Sequence, residues 1–189
     1  KFNIQIRKKY RIKKETKIIG HIGRYHEMKG TEILVKSFNE LVKKKNVILM
    51  IIGRNHQISK YLNLCSFKNK KKILVVGELL NPLKHICSFD FHVSSSVKIE
   101  GFSNVIAENM LMEVPCIATK VGESNKIISK YGRLVEPNNY IKLKEEIQLF
   151  LTYKQLKLNS LGKNSRKHII KNYNITKFNK KLLKLYEQN

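Results

Sequence analysis

The 189-residue sequence predicts an α/β fold: a doubly wound parallel sheet, followed by helices alone toward the C-terminal end. Three observations point there. Short runs rich in Ile and Val recur along the first three-quarters of the chain. Amphipathic stretches with helical spacing separate them, as βαβ units require. The runs are short, as strands buried on both faces are, and the second shows no apolar–polar alternation at all.

Residues 1–16 are basic and weakly patterned and read as a hinge or linker. The first strand is expected over Lys17–Ile22. A helix over 31–44 puts Ile33, Leu34, Phe38, Leu41 and Val42 on one stripe, with Lys and Glu opposite. Val47–Ile52, the longest aliphatic run, has no polar position at all. Further strands are expected over Lys72–Val76, Asp90–Ser94, Pro115–Thr119 and Arg133–Val135. Helical patterns over 56–66, 81–88, 104–112 and 123–130 alternate with them. From about 139 the pattern is helical only, with two or three helices and the last near 175–187. The expected division is a linker over 1–16, a Rossmann-like domain over 17–150, and a helical tail over 151–189 packed on it.

Composition narrows the function classes. There are 38 Lys and Arg against 14 acids, a formal charge of +24, and Asp90 is the single Asp. Such a balance suits a polyanionic partner, whether nucleic acid, an anionic membrane or a phosphorylated substrate. Compositional drift also accounts for many surface lysines, since Lys, Ile and Asn share A/T-rich codons and a charge run is usually a solvated face. Cys65, Cys87 and Cys116 are odd in number and far apart, which argues against a disulfide framework or a zinc site and fits a reducing cytoplasm. His21, His26, His56, His85, His92 and His168 form no ligand pair, so no metal is expected. No apolar stretch approaches the ~20 residues of a spanning helix.

In such a sheet ligands bind at the carboxyl ends of the strands. The loops at 23–30, 53–56, 77–81, 95–104 and 120–123 therefore matter most. The first places Gly23, read as a sharp turn, before Arg24 and Lys29, then opens a helix. Two cations at a helix N-terminus suit an anion, because free N–H groups and the dipole already favour negative charge there. The fourth loop carries Glu100, then Ser103 or Asn104 as a natural N-cap, then Glu108 about one turn into the helix. Free amides near Asn104 and Val105 would make a second anion site. A Gly-rich dinucleotide fingerprint, a P-loop and a nucleophile elbow are all absent, so a nicotinamide dehydrogenase, a P-loop NTPase and an α/β-hydrolase are unsupported.

These pieces, taken in order, resemble the C-terminal domain of the family 4 (group 1) retaining glycosyltransferases, which have the GT-B fold. The resemblance is carried by Ile-Gly-His-Ile-Gly-Arg with Lys29-Gly30, by Gly53 and Gly77 after their strands, and by Glu100-Gly101-Phe102 with Glu108 eight positions on. It continues through Pro115–Thr119 with Val121-Gly122, and Gly132 to Pro137. It covers roughly residues 17–150. It implies that the chain is the donor half of an enzyme that takes sugar from a nucleotide-sugar, with retention, in the synthesis of a polysaccharide, lipopolysaccharide or glycoprotein glycan. Arg24 and Lys29 would hold the diphosphate, with Gly23, Ser103 and the amides of Asn104 and Val105 beside it. Glu100 would contact the transferred sugar, Glu108 the ribose hydroxyls, and the loop from Gly77 to Leu80 the base. No cofactor or metal would be needed. An N-terminal acceptor-binding domain would be required for catalysis, and the whole would work in the cytoplasm or on the inner face of the membrane. Departures from the family pattern are Asn109 after Glu108, Glu113 where a small residue or Gly is usual, Glu123 after Gly122, Lys126 for a Glu, and Asn138 or Asn139 for an acid.

Other readings compete. An epimerase or phosphorylase of similar fold is disfavoured by the Glu100–Glu108 spacing. A nucleic-acid module would gather basic and aromatic residues on one face, whereas the lysines are everywhere. A decayed, inactive domain sits poorly with the joint presence of Arg24, Lys29, Glu100 and Glu108.

Overall fold

A computed structural model describes residues 2–24, 26–42, 46–54, 58–98, 100–176 and 183. His56 and most of the helix expected near 175–187 lie outside the described residues, as do the ends of loop 53–56 and of the helix over 31–44.

Six parallel strands form one sheet: β1 (Lys17–Ile22), β2 (Val47–Ile52), β3 (Ile73–Gly77), β4 (Phe91–Ser94), β5 (Cys116–Thr119) and β6 (Arg133–Val135). Their order is β3-β2-β1-β4-β5-β6. The chain winds outward from β1 in one direction, then returns to its other side and winds outward again from β4. β1 pairs with β2 in unbroken register from Lys17 with Val47 to Ile22 with Ile52. It meets β4 at Ile19 with Phe91 and Gly20 with His92.

The helices are α1 (Phe2–Lys9), α2 (Thr31–Leu41), α3 (Ile58–Leu62), α4 (Phe67–Lys70), α5 (Leu83–Ile86), α6 (Asn104–Leu111), α7 (Ser124–Ile128), α8 (Tyr140–Thr152) and α9 (Gln155–Asn172). A 3-10 turn over Glu27–Lys29 precedes α2. Against one face of the sheet, α2 and α8 bury Leu34, Phe38, Leu143 and Phe150 with Ile19, Leu49, Phe91 and Ile117. The predicted stripe of α2 holds, with Leu34, Phe38 and Val42 inaccessible to solvent. A second cluster joins α6, α7 and α9 through Ile106, Met110, Ile127 and Ile169. A third joins α1 and α5 through Ile6, Ile86, Ile18 and Met50. Coverage of both faces explains why Val47–Ile52 carries no polar alternation.

The segment expected to be a linker contains a helix. Of α1 only Ile6 is buried, which is why no stripe announces it. Asp90 anchors it. The carboxylate accepts the Ile18 N–H at 2.7 Å and pairs with Arg7 at 3.4 Å. Arg7 also donates to the carbonyls of Lys13 and Thr16. Burial pushes the Asp90 pKa up, with the Ile18 amide, Arg7 and Lys17 pulling it back. The expected boundary at 150 falls inside α8, which ends at Thr152. α9 then lies against α6 so closely that a Cβ on Gly162 would stand 1.9 Å from the Glu113 carbonyl oxygen.

Glu113, one of the departures from the resemblance noted above, adopts φ 61°. A side chain in that left-handed region costs about 1 kcal/mol, a cost Gly does not incur. Glu113→Gly is expected to stabilise the chain by up to about 1 kcal/mol and raise the thermal midpoint by about 2–4 °C. A lowered midpoint in a thermal melt would contradict this. Asn138, φ 60°, tolerates the same region well, and the Asn139 side chain caps α8 by accepting the Lys142 N–H at 2.9 Å.

Candidate functional site

The strand order reverses between β1 and β4, and a cavity of about 470 Å³ opens at the carboxyl ends of the strands there. The loops after β1, β2, β3 and β4 all contribute to its wall.

Of the residues predicted from sequence, Gly23, Arg24, Lys29, Glu100, Ser103, Asn104 and Val105 line this cavity. Lys29 and Glu100, 71 positions apart, meet directly. The ammonium donates to Oε2 at 2.6 Å and to Oε1 at 2.9 Å, and Ser96 Oγ donates to Oε2 at 2.9 Å. Backbone contacts between the two loops fix this meeting. Val97 N–H donates to the Met28 carbonyl at 2.7 Å, and Ser95 Oγ to the Lys29 carbonyl at 3.0 Å. Gly30, φ 61°, permits the approach, because a Cβ there would stand 1.9 Å from the Ser95 carbonyl oxygen. Ser96 is tied in turn to β5, its carbonyl accepting Thr119 Oγ1 at 2.5 Å.

Ser103 is the N-cap of α6, but its side chain makes no capping hydrogen bond. The first N–H groups of a helix have no intrahelical acceptor, and the dipole makes this end partially positive. With Asn104 and Val105 in the cavity wall, α6 thus presents anion-binding character to the same space as Arg24 and Lys29. Arg24 is exposed.

One prediction needs correction. Gly23 does not have a backbone reserved for Gly: a Cβ there would make only ordinary contacts, the nearest at 3.8 Å. The constraint lies opposite, at Gly53, where a Cβ would stand 1.9 Å from the Gly23 carbonyl oxygen. Glu108 is not among the cavity-lining residues. It lies one turn into α6, where its spacing from the N-cap places it, half-buried on the face it shares with the cavity-lining Asn104. Burial raises its pKa. Gly77 ends β3, accepts the Gly53 N–H at 2.8 Å, and leaves the cavity wall to Glu78 and Leu79.

Sequence reasoning assigned no role to Arg54, Ser96, Phe102 or His21 in the wall, while Glu78 falls in the loop expected to meet the base. Arg54 and Glu78 face each other across the ends of β2 and β3, Nε to Oε2 at 3.1 Å, and both are well exposed. Their positions just after two strands were the available signal. His21 is fully buried, with Nδ1 2.9 Å from the Val93 carbonyl and Nε2 3.3 Å from Thr31 Oγ1. Burial lowers its pKa, the nearby Val93 carbonyl opposes this, and Lys29 adds to the lowering.

The sheet and its cleft define a Rossmann-like α/β domain, with an anion-binding end and a sheltered carboxylate facing one cavity. Residues 16–152 match the family described as glycosyl transferases group 1, and the chain belongs to that family. It is 28% identical over 176 residues to the capsular polysaccharide biosynthesis glycosyltransferase CapM of Staphylococcus aureus, covering 88% of this chain and 45% of that one. It resembles a variant of S. aureus TarM in complex with fondaparinux, alpha-GlcNAc-glycerol and UDP, at 25% identity and TM-score 0.79, over 92% of this chain and 36% of the other. Anabaena HepE in complex with UDP-glucose shares the fold at TM-score 0.85 and 17% identity, over 100% of this chain and 53% of the other. The chain spans less than half the length of the curated relatives it matches. No helix among the described residues is long and apolar enough to cross a membrane.

Proposed function

We propose that this chain is the donor-binding half of an enzyme that transfers a sugar from a nucleoside diphosphate to a glycan or lipid-linked acceptor, with retention of configuration. The observation that carries this reading is the convergence of Arg24, Lys29, the N-terminus of α6 and Glu100 on one cavity at the switch point of the sheet. When the bond from sugar to phosphate breaks, negative charge grows on the diphosphate. Arg24, Lys29 and the amides of Asn104 and Val105 stabilise that charge where it develops. They fill the role that a metal plays elsewhere. Glu100 contacts the transferred sugar near its anomeric carbon. Glu108 accepts hydrogen bonds from the ribose hydroxyls once Asn104 yields, and the base lies along Glu78 and Leu79, past Gly77. Relatives bound to UDP and UDP-glucose support a nucleotide-sugar as ligand. Retention rests on the family resemblance. The acceptor is met by a further N-terminal domain, as the greater length of the relatives supports. We place the whole in the cytoplasm, with the basic surface able to rest on an anionic leaflet at about 1 kcal/mol per nearby Lys. Liposome binding indifferent to salt and to anionic lipid would remove the membrane part of this reading.

Calorimetric titration with UDP, GDP and ADP, in EDTA, tests the assignment. One nucleotide is expected to bind. Arg24→Ala and Glu108→Ala are each expected to weaken it about tenfold, the loss of one charged hydrogen bond. Binding by none of the three, with tight binding of a nucleic acid instead, would replace this reading with that of a basic nucleic-acid module.

A further inference from the structure

We propose that Glu100 makes the site discriminate between an intact nucleotide-sugar and a bare nucleoside diphosphate, by competing with the phosphates for Lys29. The proposal rests on the donor-site reading given above.

Lys29 directs two hydrogen bonds at Glu100, at 2.6 and 2.9 Å, so much of its capacity as a donor is already engaged. Neither partner is freely solvated: the Lys29 side chain is 30% exposed and that of Glu100 13%. The backbone of Lys29 is held by the Ser95 and Val97 contacts, so its ammonium moves by rotamer and not by loop displacement. Arg54 does not substitute for it, being paired with Glu78 across the ends of β2 and β3.

A diphosphate arriving at the N-terminus of α6 draws the same ammonium toward itself, and the double hold on Glu100 loosens. What then faces Glu100 decides the outcome. An intact donor carries sugar hydroxyls next to its diphosphate. These donate to the carboxylate and replace what Lys29 withdrew. A bare nucleoside diphosphate has only phosphate oxygens at that point, which are acceptors and negatively charged. Glu100 is then left with the Ser96 hydroxyl alone, at a position with little water, and faces a like charge. Leaving a sheltered charge short of partners is costly. The bare diphosphate is therefore held less tightly than its phosphate contacts alone would allow. Return of Lys29 to Glu100 accompanies its departure. The ion pair thus acts on selection of the donor and on release of the spent nucleotide.

The test is calorimetry on the 189-residue chain with UDP and UDP-glucose, and with the GDP–mannose and ADP–glucose counterparts. Glu100→Gln is expected to bind the bare diphosphate about tenfold more tightly than the unmodified chain, while affinity for the sugar nucleotide gains less or falls. Glu100→Ala, which removes both oxygens, is expected to shift the bare diphosphate in the same direction. In a Lys29→Met background the Glu100→Gln gain is expected to vanish, the double-mutant signature of a shared partner. Thermal midpoints check that each variant is folded. An unmodified chain that binds nucleotide, with Glu100→Gln and Glu100→Ala giving no gain for the bare diphosphate, overturns this inference and leaves the donor site standing. A gain that persists without Lys29 also overturns it, reducing the effect to general charge repulsion. An unmodified chain that binds no nucleotide overturns both.

Discussion

Lowering the pH from 7 to 5 is expected to cost the fold about 2 kcal/mol through His92 alone, with His21 and His85 adding to the loss. His92 and His21 lie on the two central strands, fully buried, with ring centroids 6.4 Å apart and planes 7° from parallel. Burial pushes the His92 pKa down to about 3, the His21 ring lowers it further, and the Gly20 backbone opposes the shift. Neither His92 ring nitrogen has a hydrogen bond of ordinary geometry. His21 is lowered by burial and by Lys29, and His85 by burial and then by Lys9. The sign follows from the direction of these shifts. A folded-state pKa below the unfolded one means that the unfolded chain binds more protons. The contribution to stability is therefore complete above about pH 6.5 and is lost as pH falls toward the folded value. Asp90 and Glu108, raised by burial, act in the opposite sense, so a histidine variant isolates the histidine part. Urea unfolding at pH 7 and pH 5 measures the loss, and His92→Leu should retain about 2 kcal/mol more of its own pH 7 stability at pH 5. An unchanged loss in His92→Leu would refute the assignment.

Gly122→Ala is expected to destabilise the chain by about 3 kcal/mol, lowering the thermal midpoint by about 6–12 °C, and to weaken nucleotide binding. Gly122 sits at φ 56°, in the loop after β5. A Cβ there would stand 1.5 Å from the Glu100 carbonyl oxygen and 2.9 Å from that of Gly101. Both contacts are to backbone, so no rotamer change relieves them. The left-handed conformation alone costs an Ala about 1–2 kcal/mol. The rest comes from pushing residues 100–101 away, which also draws the Glu100 carboxylate off Lys29 and disturbs the Glu123 N–H to Gly101 carbonyl contact of 3.3 Å. Urea unfolding and nucleotide titration on one sample check both halves. A variant as stable as the parent would show that the loop yields freely.

The strands were legible because burial on two faces leaves a dense Ile and Val signature. β1, β2 and β6 begin and end where their runs do, β4 and β5 start one residue later, and β3 is shifted by one residue at both ends. α4, four residues of which two are lysines, capped by Ser66, and α1, with one buried side chain, have no apolar stripe to read. The site was half legible. Residue types after the strands marked Arg24, Lys29, Glu100 and the start of α6. That Lys29 grips Glu100, and not an anion beside Arg24, depends on β4 lying next to β1, which no local pattern encodes. Glu108 stands one turn into α6, as its spacing from Ser103 predicts. The histidine pair was invisible for the same reason as the ion pair: His21 and His92 meet only through strand order.

The contacts that shape the cavity join Lys29 to Glu100 and Glu100 to Gly122. During synthesis at about 5–20 residues per second, roughly 5–20 s separate the emergence of Lys29 from that of Gly122. Through that interval the early loop exists without its counterparts. A nucleotide present in the cell therefore has nothing complete to hold until more than half of the chain has been made. Its capture reports on strands β1 to β5 already made and cannot guide the pairing of β1 with β4.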